Sequence, residues 1–348
     1  MQRIAEDSEN SDDYAESDDT LLGTDDILPS AAKVRPETSR VCRWASQSIR
    51  LTRLVLDRLL LLLGFAACVS GFVVFSGNFR NLEVYGGLSH WIKGGVFFWC
   101  GLLAHGRWIG AFADFGWAWN IKPKGKATRT PSLEFFESFF IWLYGASNVF
   151  LEHLSNWGGE WSATDFEHIS ITLLFFGGGL LGMLVESDGV RRMLDNALRS
   201  PPRKVSLNPI PPLTIMLLGL MMSSHHQQTE LGTKLHSQWG LLFCGAAIFR
   251  LITLISLHHK PPSHQPSRPM TELVVAFCLT TGGILFMMSG RDSIAGLASS
   301  KIMAMTAFTA TAGLSAVILS WEVVVFAIKG WAQKREPQWI GPDKPFSK

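Results

Sequence analysis

Long apolar runs alternate with short polar segments over most of the chain. A membrane-spanning helix needs about 20 mostly apolar residues, and eight stretches approach that length. They are residues 55–77, 91–112, 134–154, 167–186, 207–226, 236–257, 271–290 and 302–328. The fifth is the weakest, and its prolines stand at its start, where a missing N–H costs a helix little. The pattern predicts an all-α, polytopic membrane helix bundle with about eight transmembrane helices.

The two ends of the chain are polar. Residues 1–47 are acidic and serine-rich, as in the run from Glu6 to Asp13, and hold too few apolar side chains to bury a core. We expect a disordered cytosolic tail over 1–47, a transmembrane domain over 48–335 and a cytosolic C-terminal tail over 336–348. The first hydrophobic run begins near Leu59, so we expect no signal peptide and a first helix that acts as a signal anchor.

Basic residues concentrate in alternate loops. They are dense before the first run, between runs two and three, between runs four and five, and after the eighth run. Because Lys and Arg favour cytosolic loops, this alternation predicts eight spans with both termini in the cytosol. Tryptophans stand at the predicted helix ends, where we expect rings such as that of Trp119 to keep the indole N–H in water.

The composition fits a lipid environment and argues against several classes of protein. Hydrophobic residues make up 47% of the chain and charged residues 17%, so the lipid bilayer is the expected partner. No basic surface interleaved with aromatic residues suggests nucleic-acid binding. The five cysteines form no CxxC pair, so we expect neither a disulfide framework nor a thiolate zinc site. No nucleophile elbow, Walker loop or dinucleotide fingerprint occurs, and we assign no catalytic residue.

Histidines form the most informative polar pattern. Six of the ten map to the non-cytosolic helix ends: His90, His153, His168, His225, His226 and His236. Ionisable groups in a spanning segment cost on the order of 2.5–3.5 kcal/mol at its centre, so they usually face the bundle interior and pair. Imidazole is the commonest metal ligand, and carboxylates complete or orient such sites. We therefore predict a divalent-metal site for Zn or Cu at the ends of helices 3 to 6. Its candidate ligands are Glu152, His153, His168, His225, His226 and His236.

Two other interpretations fit the same residues. Histidines on facing helices hold haem in membrane b-type cytochromes, which would make the protein an electron carrier. Alternatively, the imidazoles and nearby carboxylates bond only one another and interfacial water, and so tie the helix ends together.

Charged residues also recur inside the other predicted helices. Arg107 and Asp114 are seven residues apart on the second helix and share a face, and Arg250, Glu272 and Glu322 are candidates for interhelical ion pairs. Carboxylates in spanning helices also mark ion and proton paths, so a transporter is a further alternative. The carboxylates that would line its continuous cavity are Asp114, Glu137, Glu152 and Glu322.

Several short segments have a distinctive composition. They are GGLSHWIKGG from Gly86, GRW from Gly106, ADFGWAWN from Ala113, NVFLEHL from Asn148, FEH from Phe166, FFGGG from Phe175, SHHQ from Ser224, HSQWG from His236, SRP from Ser267, TEL from Thr271 and WE from Trp321. Together they resemble the C-terminal domain of the fungal YTP-like family of transmembrane proteins, over about residues 60 to 335.

The resemblance implies a multi-pass membrane domain and carries no established reaction. Longer members resemble a fusion of this domain to an N-terminal hydrophobic region that is similar to b-type cytochrome domains. Here a short acidic tail stands in place of that region, which weakens the haem interpretation. His105 stands where the resemblance implies an apolar or hydroxyl residue, so we assign it to no site.

Overall fold

A computed structural model of the chain describes residues 38–79, 84–122, 130–151, 158–198, 206–261 and 263–335. Every regular element within these ranges is a helix, and none is a strand. Helices suit apolar runs in lipid because an α-helix satisfies its own backbone hydrogen bonds where water is absent. The prediction of an all-α membrane helix bundle is confirmed over the described part of the chain.

Ten α-helices lie within the described residues. In chain order they are α1 (Thr38–Ser76), α2 (Val84–Ile109), α3 (Leu133–Leu151), α4 (Ala163–Glu186), α5 (Asp188–Leu198), α6 (Ile210–Ser224), α7 (Glu230–His258), α8 (Thr271–Met288), α9 (Arg291–Ser299) and α10 (Ala304–Arg335). Eight of them lie over the eight apolar runs, and the short helices α5 and α9 are additional. Pro211 and Pro212 lie in the first turn of α6, as predicted for the weakest run.

The first part of α1, residues 38–67, forms a structural unit by itself. Its five consecutive leucines, from Leu59 to Leu63, are all exposed, and Arg53 Nε lies 3.9 Å from Asp57 Oδ2 one turn away. The helix begins inside the segment that the sequence assigns to the N-terminal tail. Residues 1–37 and 336–348 lie outside the described residues, so the predicted disorder of the two tails stays a prediction.

In the second unit, from residue 68 onward, glycines bring neighbouring helices into backbone contact. A Cβ added to Gly94 of α2 would lie 2.6 Å from the carbonyl oxygen of Gly283 in α8. Gly219 of α6 and Gly240 of α7 face each other in the same way, at 2.6 and 2.7 Å. Because lipid tails are as apolar as leucine, helices in a bilayer associate largely through such close packing. The most extensive contacts join α2 to α8, α3 to α4, and α7 to both α6 and α8.

Within the described residues, five helices are long and apolar enough to cross a bilayer, namely α1, α4, α7, α8 and α10. The helix α6 is apolar but has only 15 residues, and α2 and α3 contain the charged side chains described below. The chain is therefore a polytopic membrane protein, whereas the count of eight spans stays a prediction.

The end of α2 differs from its predicted end. The helix stops at Ile109, and Gly110 follows in the left-handed region with φ of 98°, a conformation that ends helices and favours glycine. Asp114 consequently lies beyond α2, on a short 3-10 helix (Ala113–Phe115). The prediction that Arg107 and Asp114 share a face of one helix is wrong, because the glycine ends the helix between them.

Candidate functional site

His236 lies in the second turn of α7, and only 4% of the residue is exposed. Its Nδ1 is 2.9 Å from the backbone oxygen of Gly232, one turn earlier in the helix. A carbonyl oxygen only accepts hydrogen bonds, so we assign the ring proton to Nδ1. In the neutral ring the lone pair then belongs to Nε2, the nitrogen that would bind a metal.

Two further imidazoles approach His236 from other helices. The ring centroid of His90, on α2, lies 5.9 Å from that of His236, with the rings nearly perpendicular at 82°. The ring centroid of His225, which caps the C-terminus of α6, lies 6.5 Å away. His90 Nδ1 is 2.8 Å from the backbone oxygen of Gly86, so the same tautomer is assigned to His90. We call His90, His225 and His236 the histidine cluster.

A carboxylate from a fourth helix reaches the histidine cluster. Glu167 of α4 places Oε2 3.4 Å from Nδ1 of His225. The Glu167 side chain is 56% exposed and that of His225 is 23% exposed, so this pair stands at the outer margin of the cluster. A carboxylate beside Nδ1 orients an imidazole ring and makes its Nε2 a stronger metal ligand.

Aromatic rings close the inner side of the histidine cluster. The His236 ring lies 5.4 Å from Trp239, and the His90 ring lies 5.6 Å from Phe286. Trp239 and Phe286 stack on each other with centroids 4.2 Å apart, and Trp239 is fully buried. The imidazoles therefore lie between an apolar layer and the helix ends, where electrostatic interactions are stronger than in water.

The structure unites two of the six predicted ligands, His225 and His236. His168 is half-buried on α4 beside Glu167, and His226 is exposed beside His225. Glu152 and His153 lie outside the described residues. Across the ranges that are described, the side chains as placed form no group of three or more His, Cys, Asp or Glu that could hold a metal ion. His90 was not among the predicted ligands, although its position at the same helix ends was a signal.

A second polar group lies near the opposite end of the same helices. Fourteen residues separate His236 from Arg250 along α7, a rise of about 21 Å at 1.5 Å per residue. Arg250 Nη1 is 3.2 Å from Glu137 Oε1 on α3, and its Nε is 2.8 Å from Glu272 Oε1 on α8. Arg107 Nη2 of α2 is 2.5 Å from Glu134 Oε1, also on α3. We call these five residues the charge cluster.

The charge cluster is buried and has one carboxylate more than it has guanidinium groups. Glu272 has no exposed surface, and Arg107, Arg250 and Glu134 are also buried. The distance from Arg250 Nε to Glu272 Oε1 is that of a close ion pair. The N–H of Arg250 does not point at this oxygen, however, and neither Glu272 oxygen accepts a hydrogen bond from the described residues. The formal charge of the cluster is −1 when all five groups are ionised, and an unbalanced buried charge is costly.

Trp119 lies between the two arginines of the charge cluster. The Arg107 guanidinium carbon is 3.8 Å from the centre of the Trp119 ring system, and that of Arg250 is 5.8 Å away. Trp119 is only 2% exposed, and its indole N–H has no partner among the described residues. The prediction that the Trp119 N–H stays in water is therefore wrong, because two cations and the loop around it enclose the ring.

Two loops that are far apart in sequence, around residues 118–121 and 263–267, contact each other at Trp119. The Ile121 N–H donates to the carbonyl of Ser263 at 2.7 Å, and the Ser267 N–H donates to the carbonyl of Ala118 at 3.0 Å. Between them the Trp119 backbone has φ of 50°, a value that bulky residues rarely adopt. Strained backbone persists only where its surroundings over-determine it, and it occurs often at functional sites.

The other predicted intramembrane charges form separate contacts. Glu322 Oε2 of α10 is 2.8 Å from His105 Nδ1 of α2, whereas Glu137 is held by Arg250. Arg250 and Glu272 form one of the expected interhelical pairs, and Asp114 is exposed.

Comparison with known proteins identifies relatives over most of the chain. A family model described as "Protein YTP1-like, C-terminal" matches residues 63–330. The chain is 37% identical to an uncharacterised membrane protein of Schizosaccharomyces pombe over 308 residues, which is 83% of this chain and 60% of the relative. It is 36% identical to an uncharacterised membrane protein of Saccharomyces cerevisiae over 293 residues, 78% of this chain and 46% of that relative.

A further relative is Protein YTP1 of Saccharomyces cerevisiae, 28% identical over 198 residues, 55% of this chain and 39% of that protein. The chain thus spans about half the length of these relatives. No solved structure matches the chain.

Proposed function

The chain belongs to the YTP1-like family of fungal membrane proteins, and from that premise we propose that it binds a divalent transition-metal ion, Zn or Cu, at the histidine cluster. The observation that carries the proposal is the approach of His90 and His225 to the buried ring of His236. Three imidazoles from three helices match the donor types that both metals favour.

The spacing of the rings supports this function. Zn–N bonds of ~2.0–2.1 Å at tetrahedral angles set two ring centroids about 5 Å apart. The observed separations of 5.9 and 6.5 Å exceed that value by about an ångström. Small rotations about the side-chain torsions would close this gap, and a bound cation would favour them.

The groups around the rings supply the orientation that a metal centre needs. The backbone oxygens of Gly86 and Gly232 hold Nδ1 of His90 and His236, which leaves Nε2 as the ligand atom of both rings. Glu167 stands beside Nδ1 of His225 in the same role. Candidates for a fourth ligand are the remaining predicted residues, Glu152, His153, His168 and His226.

Metal content of the full-length protein tests the proposal. Detergent-purified wild type, incubated with Zn or Cu and freed of excess ion, should retain about one equivalent per chain by elemental analysis. His236→Ala should lose it. The control is His258→Ala, because His258 is exposed at the other end of the same helix and should leave the metal bound.

Near-zero metal in the wild type and in His236→Ala alike would contradict the proposal. A Soret band in the visible spectrum of the wild type, absent from His236→Ala, would instead identify haem as the ligand of the same imidazoles.

The charge cluster supports a second candidate, proton-coupled transport. Buried carboxylates in spanning helices often form part of proton and ion paths. Within the charge cluster Glu137 is the accessible carboxylate, with 24% of its side chain exposed, whereas Glu272 is fully buried. Because the charge cluster has one carboxylate more than it has guanidinium groups, protonation of one carboxylate would make the cluster neutral.

A flux measurement separates this candidate from the metal-binding function. Full-length protein in liposomes that contain a pH-sensitive dye is given a proton gradient. Transport predicts a dye response in the wild type, its loss in Glu137→Gln and its retention in Glu230→Gln, a change at an exposed carboxylate. Wild-type liposomes that respond no faster than empty ones would exclude this candidate, whatever the metal content.

A further inference from the structure

The short helix α5 has an apolar face that the described part of the chain leaves largely uncovered. Val190, Met193, Leu194 and Ala197 recur at the spacing that places residues on one side of a helix. Met193 is 73% exposed and Leu194 is 51% exposed. The opposite side contains Asp188, Arg192 and Asp195. A helix with one apolar and one charged side is typical of segments that lie in a membrane interface.

The connection to α4 fixes where this face stands. A single residue, Ser187, separates α5 from α4, which is one of the helices long and apolar enough to cross the bilayer. Ser187 has an extended backbone, with φ of −63° and ψ of 120°, so the helical path is interrupted there and the chain turns. Arg191 holds the two sides of this turn together, because its Nε donates to the carbonyl of Val185 at 3.0 Å and its Nη2 donates to the Glu186 carboxylate at 2.5 Å.

Glu186 anchors that turn to two other parts of the bundle. Its carboxylate accepts hydrogen bonds from Ser132 Oγ and Ser206 Oγ, both at 2.6 Å, besides that from Arg191. Although the residue lies at the end of a spanning helix, it is buried and its charge is neutralised. The start of α5 is therefore held firmly at the depth where α4 ends.

We propose that α5 lies in the interface of the leaflet at the end of α4, with its apolar face among the acyl chains, and that it favours anionic lipid headgroups. Residues 186–204 include five basic and three acidic side chains, so the local net charge is +2 with the Glu186–Arg191 pair counted. Basic clusters beside a spanning helix are attracted to leaflets rich in anionic lipid. Lipid is the occupant that the geometry favours, because α5 starts at the membrane boundary and its uncovered residues are apolar.

A depth measurement on the full-length protein tests this assignment. A fluorescent thiol label is attached at Met193→Cys and, in the matched variant, at Arg192→Cys on the polar side, with labelled wild type as background. The protein is placed in nanodiscs with brominated phosphatidylcholine, whose acyl chains quench nearby fluorophores. The label at 193 should be quenched at least about twofold more than the label at 192, because only the apolar face enters the acyl region. Leu194→Cys repeats the test on the same face.

Replacing part of the unbrominated phosphatidylcholine with phosphatidylserine, at a constant fraction of brominated lipid, tests the preference for anionic headgroups. Quenching at 193 should increase with phosphatidylserine and fall again in high salt. Equal quenching at 193 and 192 would overturn the interfacial position, and quenching that ignores phosphatidylserine would overturn the headgroup preference. A label at 193 that resists both brominated lipid and aqueous iodide would show a protein partner on this face and would equally overturn the proposal.

Discussion

Arg250 is the residue that compensates the buried carboxylates of α3 and α8. It contacts Glu137 on one side and the fully buried Glu272 on the other. Removing the water from such charges costs several kcal/mol for each ion, and their mutual attraction offsets this cost only while both signs are present. Loss of the guanidinium is therefore more damaging than the loss of any one contact.

We expect Arg250→Met to destabilise the protein by about 3–5 kcal/mol, because the fully buried Glu272 and the partly buried Glu137 both lose their cation. Thermal unfolding in detergent, followed by helical circular dichroism, measures the change. Lys234→Met is the control, since Lys234 is exposed and pairs with exposed Glu230 on the same helix. Equal melting temperatures for the two variants would mean that the charge cluster contributes nothing to stability.

His105 and Glu322 form a smaller pair between α2 and α10. Their Nδ1 and Oε2 atoms are 2.8 Å apart, and the His105 side chain is almost fully buried. Their pairing could not be predicted from the chain, because 217 residues separate them. Once the helices pack, each is the polar partner of the other in an apolar region.

A double-mutant cycle should detect the His105–Glu322 interaction directly. The single changes His105→Leu and Glu322→Leu are each expected to destabilise, because each leaves a polar partner unsatisfied. The double change should cost less than the sum of the two, with a coupling energy in the range of about 0.5–3 kcal/mol. Strict additivity of the three unfolding free energies would contradict the contact.

At the scale of helices, small residues decide how closely neighbours approach. In the run Gly177-Gly178-Gly179 of α4, some glycines contact a neighbouring helix and others do not. A Cβ added to Gly179 would collide with the backbone nitrogen of Trp142 in α3 and lie 2.7 Å from the Ser138 carbonyl oxygen. A Cβ added to Gly177 would meet nothing within 4 Å.

We therefore expect Gly179→Ala to force α3 and α4 apart and to destabilise the protein by about 1–3 kcal/mol or more. Gly177→Ala should be neutral or stabilising by up to about 1 kcal/mol, since alanine favours the helix more than glycine. Urea or SDS unfolding of the two variants in detergent compares them under the same conditions. If Gly177→Ala were the more harmful change, the α3–α4 packing described above would be wrong.

Helices are the level at which the sequence is most informative. Apolar runs predict α4, α7 and α8 well, because an apolar stretch in lipid has no alternative to a helix. The sequence does not predict α5, whose apolar residues are too few to form a run and become recognisable only on a helical projection. It also places the end of α2 too late, because the φ of Gly110 depends on the loop that follows.

At the scale of the whole molecule, the unit from residue 68 onward has two chemically different ends. The histidine cluster occupies one end of α2 and α7, and the charge cluster lies toward the other, with the aromatic layer of Trp239 and Phe286 next to the histidines. The sequence could assign the histidines to one side from the order of basic loops. It could not predict which rings meet, because a contact such as His90–His236 depends on how α2 and α7 are rotated about their axes.

The charge cluster was still harder to predict as a unit. Arg250 and Glu272 were candidates for a pair, but the enclosure of Trp119 depends on backbone bonds between connections some 140 residues apart, such as Ile121 to Ser263. Patterns along a chain report which residues share a helix face, and they contain little information about such long-range loop contacts.

The number of spans decides on which side of the membrane each connection lies. Eight spans place both termini on the cytosolic side, whereas an odd number places them on opposite sides. The sides on which the two termini lie do not determine the number of spans, because a chain in which neither α2 nor α3 crosses the membrane would also have an even number.

Glycosylation-acceptor sequences inserted at Lys124 and at Gly159, on either side of α3, test whether α3 crosses the membrane. We expect no modification at either terminus or at Lys124, and modification at Gly159, because an acceptor is glycosylated only on the luminal side. Identical results at Lys124 and Gly159 would remove α3 from the spans, and modification at Lys124 alone would reverse the predicted orientation.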